Sequence, residues 1–329
     1  MTMNNNPVEL DAEPLATPVS SQPAMSIEQE LGRLPLTQAQ RAIRPLATWY
    51  LGLLPTNLPE WYVQREPLQR ARMEYEDERG PKGFHAFFAG RLNVVGKDVL
   101  DFGCGYGGRT VRYKELGARS VTGTEIVPEM VIEAQEFARL KGADIRVLLT
   151  PEDQPVPLPD DSFDVICCYD VLEHVRSPKR AISECWRLLK PGGVLYAVFP
   201  PFHHPTHGSH LDGYISRSPF ANLLFPCPTL VVAAEELMRK RGQKYRPPVF
   251  RTTDKLWGMN GLTLSGFHRI VRQIPFNKVR CEHAPLVSPF RSKWEGWRMR
   301  YYALPFRLAA KVPLFWEIFT DRVVADLTK

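Results

Sequence analysis

From Lys97 to Pro200 the chain alternates short apolar runs with stretches in which apolar residues recur every three or four positions. That rhythm of strands and amphipathic helices builds a parallel sheet. Strands are predicted at Asp98–Phe102, Ser120–Thr124, Ile145–Leu149, Phe163–Tyr169 and Val194–Phe199. Helices are predicted at Arg109–Leu116, Pro128–Lys141 and Pro178–Leu189. Phe163–Tyr169 carries no charge after Asp164, as befits a strand covered on both faces. Pro128 stands at a helix start, where a missing N–H costs nothing. The helix from Pro178 should stop at Lys190-Pro191-Gly192-Gly193, since glycine ends a helix and proline prevents its continuation.

The flanks read differently. Residues 1–30 form a disordered tail, and residues 31–96 form a helical extension with a proline-marked turn at Pro55–Pro59 and an aromatic group of Trp49, Tyr50, Trp61 and Tyr62. Residues 97–200 are the core. Residues 201–260, rich in His, Pro and aromatic side chains, read as a lid inserted just outside the carboxyl end of the fifth strand. Over 261–329 the sheet is completed: an amphipathic stretch Leu262–Val271, a strand Asn277–Ala284, an apolar stretch Leu304–Phe319 and a last strand Asp321–Leu327. The expected fold is α/β, a doubly wound, Rossmann-like sheet of seven strands.

The 329 residues are 44% hydrophobic, enough for a core and too many for wholesale disorder. The formal charge of +6 divides unevenly: residues 1–200 carry −5 and residues 201–329 carry +11. An anionic partner is therefore expected on the C-terminal part. Residues 1–30 hold no Lys or Arg and no continuous apolar stretch, so nothing there reads as a signal peptide. Pro219–Ala234, the most apolar run, is short and broken by Pro226 and Pro228, which does not suit a membrane span. Cys104, Cys167, Cys168, Cys185, Cys227 and Cys281 show no CxxC spacing and read as reduced thiols of a cytoplasmic protein.

Candidate chemistry gathers at strand ends. Asp101-Phe-Gly103-Cys-Gly105-Tyr-Gly107-Gly108 lies between a strand and a helix, and its glycines let a ligand approach the main chain. Alone it also satisfies the GxGxxG of a dinucleotide fold. Asp101, beside the first glycine, would repel a pyrophosphate and favour a cationic amino group. Glu125 ends the second strand, where its two oxygens can accept both hydroxyls of a ribose. Glu152 and Asp153 follow the third strand, where a side chain can accept from an adenine amino group.

The motifs VLDFGCGYGG, VTGTEIVPEMVIEAQ, PLPDDSFDVICCYDVLEHV and ECWRLLKPGGVLYAVFP resemble those of the class I S-adenosylmethionine-dependent methyltransferases, over Lys97–Pro200. The resemblance implies a mostly parallel sheet whose last strand is antiparallel, and S-adenosylmethionine as cofactor. It assigns the methionine end to Asp101, Gly103, Cys104, Gly105 and Gly107, the ribose to Glu125 with Ile126 beside it, and the adenine to Glu152 or Asp153. Asp170 and Val171 would lie near the sulfonium, with His174 beside them. The sequence departs from the family at Thr150-Pro151-Glu152, where relatives often have Gly-Asp-Ala.

Methyl transfer from a sulfonium needs placement above all, and a base only where the acceptor holds a proton. His203, His204, His207 and His210 follow the fifth strand and are candidate bases, as is His174; Tyr106, Asp212 and Tyr214 are candidate acceptor contacts. A solvated lid loop is the plainer reading of those histidines. No metal is expected, because the histidine spacing is not helical and no cysteine pairs with it. The expected reaction is O-methylation of a small or lipid-linked, anionic acceptor. Alternatives are an N- or C-methyltransferase and a non-catalytic adenosylmethionine-binding partner subunit. No nucleic-acid partner is expected, for want of a recognition module or base-flipping motif. The tail residues Trp294, Trp297, Tyr301, Tyr302, Phe315, Trp316 and Phe319, interleaved with Arg291, Lys293, Arg298, Arg300 and Arg307, read either as packing or as a peripheral contact with anionic lipid.

Overall fold

The structure is a computed structural model that describes residues 36–55, 66, 68–80, 83–151, 154–205, 208, 210–211, 216–242, 259–285, 304–305, 308, 312 and 315–329. Strands β1 (Asp98–Phe102), β2 (Ser120–Glu125), β3 (Arg146–Leu149), β4 (Phe163–Tyr169), β5 (Leu189–Phe199), β6 (Lys278–Pro285) and β7 (Thr320–Thr328) make one sheet in the order β3-β2-β1-β4-β5-β7-β6. β1 to β5 pair in parallel, and β7 runs antiparallel between β5 and β6. Strand order reverses between β1 and β4, so a crevice opens beyond their carboxyl ends.

Alternation along each strand feeds two cores. Leu100, Ile166, Cys168, Leu195, Ala197, Phe199, Val323 and Ala325 face helices α5 (Pro178–Leu188) and α8 (Leu264–Val271), meeting Ile182, Cys185, Leu188 and Phe267. Val99, Val165, Cys167, Tyr196, Val198 and Val324 face the other way, toward Tyr113 of α3 (Gly108–Glu115) and toward Phe84 and Phe88 in a 3-10 turn. Each such large side chain, once buried, contributes about 1.5–3 kcal/mol. The sheet is thus covered on both sides, as the sequence predicts.

The flanks pack in a way that local patterns do not reveal. Helix α1 (Gln38–Leu53) opens on a capping box in which Thr37 and Gln40 exchange hydrogen bonds at 2.9 and 3.2 Å. Its apolar face does not meet the sheet. Ala47 and Leu51 instead pack on Leu230, Ala233, Ala234 and Leu237 of α7 (Cys227–Lys240), with Ala221 of the short α6 (Ala221–Leu224). Tyr50 Oη donates to the Pro219 carbonyl at 2.5 Å, and Pro55 bridges Ser216. The apolar run Pro219–Ala234 is therefore the heart of two helices within the insertion. Among the described residues no helix is long and apolar enough to cross a membrane. Helix α2 (Gln69–Arg79) goes elsewhere, laying Ala71 and Tyr75 against Val111 of α3 and against Phe137 and Ala138 of α4 (Pro128–Lys141).

One boundary differs from the sequence expectation. Helix α5 ends at Leu188, and β5 begins at Leu189, which pairs with Phe163 before the register shifts. Pro191, Gly192 and Gly193 thus belong to an irregular strand start and do not cap the helix. The reason is tertiary: Gly192 donates to the Lys329 carbonyl at 2.9 Å, and Lys329 donates to Gly193 at 3.0 Å. The tail 1–30 lies outside the described residues.

Candidate functional site

A cleft of about 730 Å³ lies beyond the carboxyl ends of β1, β2 and β4. Its floor is the glycine loop. After Phe102 the backbone turns through Gly103 at φ +75° and Gly107 at φ +78°, in the left-handed region. A Cβ at Gly103 would sit 2.5 Å from Val171 Cγ2, and one at Gly107 would sit 2.6 Å from Ala134 Cβ. Both positions therefore require glycine twice over. Gly103, Gly105 and Tyr106 line the cleft, and the Arg70 guanidinium stands 5.9 Å from the Tyr106 ring. Cys104 is fully buried and is not part of the cleft lining.

Helix α2 closes the start of α3. Glu74 Oε2 accepts the Gly108 N–H at 3.2 Å. That first-turn N–H is the donor a dinucleotide's pyrophosphate would use, and a carboxylate occupies it. Beside it Arg109 lies 4.9 Å from the centre of the Tyr169 ring. Burial alone would lower the Arg109 pKa, yet Glu74 and Asp101 raise it and hold the guanidinium charged. Asp101 accepts from Thr110 Oγ1 at 2.7 Å, and burial pushes its carboxyl up to about 6 against the pull of Arg109. The cleft lining includes Arg109 but not Asp101, which stands behind the loop as the counter-charge to Arg109.

Glu125, at the end of β2, is held by the backbone. Its Oε1 accepts from Ile126 N at 2.7 Å and Val127 N at 3.1 Å, and its Oε2 accepts from Gly105 N at 2.9 Å. A carboxylate offers about four lone-pair sites, so one remains, on Oε2. The sequence expectation that both oxygens serve a ribose meets this limit: Oε1 is already saturated. Burial raises the Glu125 pKa, and the three N–H donors oppose that rise. Ile126, Thr150, Pro151 and Gln154 continue the same wall.

The opposite wall carries Tyr169, Asp170, Val171 and His174. Asp170 has φ +53°, donates its N–H to the Val198 carbonyl at 2.9 Å and pairs its carboxylate with Arg322 of β7. The following turn is pinned by Asn260, whose Nδ2 donates to the Leu172 and Val175 carbonyls at 2.6 and 2.7 Å and whose N–H donates to Glu173 at 2.8 Å. That turn presents His174, whose ring lies 5.0 Å from the ring of His210 across the cleft. Glu173 is buried behind them; burial, helped by the Asp170 charge, holds its carboxyl well above the usual range. Glu173, His174 and His210 bring one ligand atom each within 4.8 Å of one another, a set able to hold a divalent cation.

The histidines of the insertion thus part company. His203 pairs with Glu317 at 3.2 Å and His204 with Asp321 at 3.1 Å, both at the C-terminal segment and neither in the cleft lining. His204 is buried, which suits a structural ion pair. Glu152, Asp153, His207, Asp212 and Tyr214 lie outside the described residues, as do Trp294, Trp297, Tyr301 and Tyr302 with their neighbouring basic residues. Sequence reasoning missed Glu74, Arg109, Asn260 and Arg322. Glu74 sits in a run of charges that looks solvated, and Asn260 and Arg322 act from far along the chain. Arg109 alone was signalled, by its place directly after the loop.

Residues 100–197 match a protein family described as "Methyltransferase domain". The chain is 38% identical over 132 residues to a ubiquinone biosynthesis O-methyltransferase of Xanthomonas oryzae pv. oryzae, covering 36% of this chain and 53% of that protein. It is 36% identical over 107 residues to the protein of the same name from Pseudomonas syringae pv. tomato, covering 32% and 45%. The chain therefore spans about half the length of the curated relatives it matches. Among solved structures, an S-adenosylmethionine dependent methyltransferase from Mesorhizobium loti aligns with a TM-score of 0.44 and 18% identity, over 74% of this chain and 96% of that one.

Proposed function

We propose that the protein, whose residues 100–197 match a methyltransferase domain family, uses S-adenosylmethionine to methylate a hydroxyl oxygen of a small, anionic acceptor. The observation that carries this is the continuity of one cleft from the glycine loop and Glu125 to His174 and His210. When bound, S-adenosylmethionine supplies a methyl group on a positively charged sulfur. The residues fit it: the Gly108 N–H is closed to phosphate by Glu74, and Glu125 keeps a free lone pair for a hydroxyl. Gly103 and Gly105 leave the main chain open to the methionine end.

The acceptor side must remove a proton and hold the oxygen in line. A neutral imidazole can take the proton at a ring nitrogen, and His174 and His210 are the described histidines that line the cleft. Asn260 fixes the turn that aims His174. Arg70, Arg176 and Arg180 also line the cleft, which supports an acceptor bearing a carboxylate or phosphate. The names of the relatives support oxygen as the methylated atom. A lipid-linked acceptor would present such a head group from a surface.

The test is incubation of the protein with S-adenosylmethionine and a panel of hydroxylated aromatic acids, with adenosylhomocysteine and the methyl ether followed by mass spectrometry. Binding without adenosylhomocysteine release from any acceptor would make it a partner subunit, and an N-methylated product would overturn the oxygen assignment. A second reading rests on the Glu173, His174 and His210 trio: a divalent cation there would lower the pKa of an acceptor hydroxyl directly. Turnover lost to a chelator and restored by Mg²⁺ would transfer that role from imidazole to ion.

A further inference from the structure

Away from the cleft, the edge of the sheet carries a second group of ligand-type side chains. Cys281 and His283, two residues apart on β6, share one face of that edge strand. Their cross-strand partners are Ala325 and Val323, which belong to the core beneath α8, so this is the face that α8 covers. From α8 comes His268. One ligand atom from each of the three lies within 4.8 Å of the others.

The spacing of the two rings is informative. His268 Nε2 and His283 Nε2 are 3.4 Å apart. That is beyond the usual ~2.7–3.2 Å of a good N–H hydrogen bond. It matches the roughly 3.3 Å between two nitrogens each ~2.05 Å from one tetrahedral ion. Trp316 walls the group, stacking on His268 at 5.9 Å and meeting His283 edge-on at 5.5 Å. An apolar wall of this kind limits solvent and strengthens metal–ligand bonds. Burial also lowers the pKa of both rings, with Arg272 adding to the effect at His268 and His268 adding to it at His283. Neutral rings keep the lone pairs that a metal needs.

We propose that His268, Cys281 and His283 form a binding site for a zinc-class divalent cation that fastens α8 to the edge strand. Two imidazoles and a thiolate suit Zn²⁺. Three protein ligands leave the fourth position to water. On binding, the metal–sulfur bond replaces the S–H bond of Cys281, and the proton leaves to solvent. Burial, with Asp326 and Glu282 nearby, pushes the free thiol up to about 12, so the ion must displace a firmly held proton. The consequence is structural: Trp316 leads into β7, whose Arg322 holds Asp170 in the cleft.

The whole chain, stripped with a chelator, is titrated with Zn²⁺ against a chromophoric chelator and with Co²⁺ by absorption spectroscopy. The expected cobalt form shows thiolate-to-cobalt charge transfer and tetrahedral d–d bands. Cys281→Ser removes the charge-transfer band, and His268→Asn and His283→Asn each weaken zinc binding at least about tenfold. His174→Asn leaves the band in place, because the Glu173, His174 and His210 trio contains no sulfur. A wild-type protein without the thiolate band overturns the proposal, whatever the variants do. So does a band that survives Cys281→Ser, or zinc affinity unchanged by both histidine substitutions.

Discussion

Glu125 is committed three-quarters of the way before any ligand arrives. Its Oε1 takes two backbone N–H groups and its Oε2 takes one, leaving a single lone pair for a ribose. One ribose hydroxyl should therefore bond to the carboxylate strongly and the other weakly. A hydrogen bond to a charged group contributes about 1.5–3 kcal/mol, which is roughly a 10- to 150-fold change in affinity. The perturbation is removal of each hydroxyl in turn, using the 2′-deoxy and 3′-deoxy forms of adenosylhomocysteine. Calorimetry with each, against the parent nucleoside, gives the two losses separately. One analogue should lose that full range, and the other should bind within about threefold of the parent. The protein-side partner is Glu125→Gln, whose amide must turn an N–H toward either Gly105 or the Ile126 and Val127 donors. That substitution should weaken binding by a similar factor and abolish the difference between the analogues. Equal large losses for both analogues would refute the lone-pair count, since they would require Glu125 to serve both hydroxyls.

Three other outcomes are expected. Replacing His174 or His210 by alanine should lower kcat by about 10²–10⁴ at one of the two positions while cofactor affinity stays within about threefold; His203→Ala and His204→Ala should act through stability, and full turnover in both cleft variants would remove imidazole as the base. Gly103→Ala forces a Cβ to within 2.5 Å of Val171 Cγ2 at φ +75°, so chemical denaturation should show a loss of at least ~2 kcal/mol; adding Val171→Ala should recover only the clash, and an unchanged midpoint would sink the argument. Glu235, buried in α7, has its carboxyl pushed by burial up to about 8 despite Arg239. A raised carboxyl contributes stability that is fully present below the unfolded value of 4.5 and is lost as pH rises through about 8. Glu235→Gln should therefore match the parent near pH 4 and exceed it increasingly up to about pH 8, by no more than about 5 kcal/mol; parallel Tm curves would show that the group never carries the shift.

The sheet was legible because its signals are local. Val99 and Leu100 alternate toward two cores, and the turn at Gly103 is written in a few consecutive residues. The half of the cleft around His174 and His210 was less legible, because its geometry is set by residues that meet only in three dimensions. Asn260 aims His174 from 86 positions away, and Arg322 reaches Asp170 across 152. Four histidines close together in the insertion looked alike, yet the described ones separate by partner: Glu317 and Asp321 take His203 and His204, and His210 turns to His174. Glu74 was hidden for the opposite reason. A helix reading Gln-Arg-Ala-Arg-Met-Glu-Tyr-Glu-Asp-Glu-Arg looks solvated, and it is the contact with Gly108 that brings Glu74 to the glycine loop. At Gly192 and Gly193 the local rule for helix ends was overridden by pairing with Lys329.

The joint packing of α1 and α7 bears on tempo. An insertion tethered only at its two ends could fray and reclose in nanoseconds to microseconds, like an ordinary surface loop. This one shares a core with a helix drawn from nearly 190 positions earlier, and the Ser216–Pro55 bridge stitches the two together. Exposing that side of the molecule therefore demands that two distant stretches travel as one rigid body, a slower, collective movement on the microsecond-to-millisecond scale. A clock of that kind lies in the range where departure of the products, and not the bond-making step, governs how often a catalyst can fire.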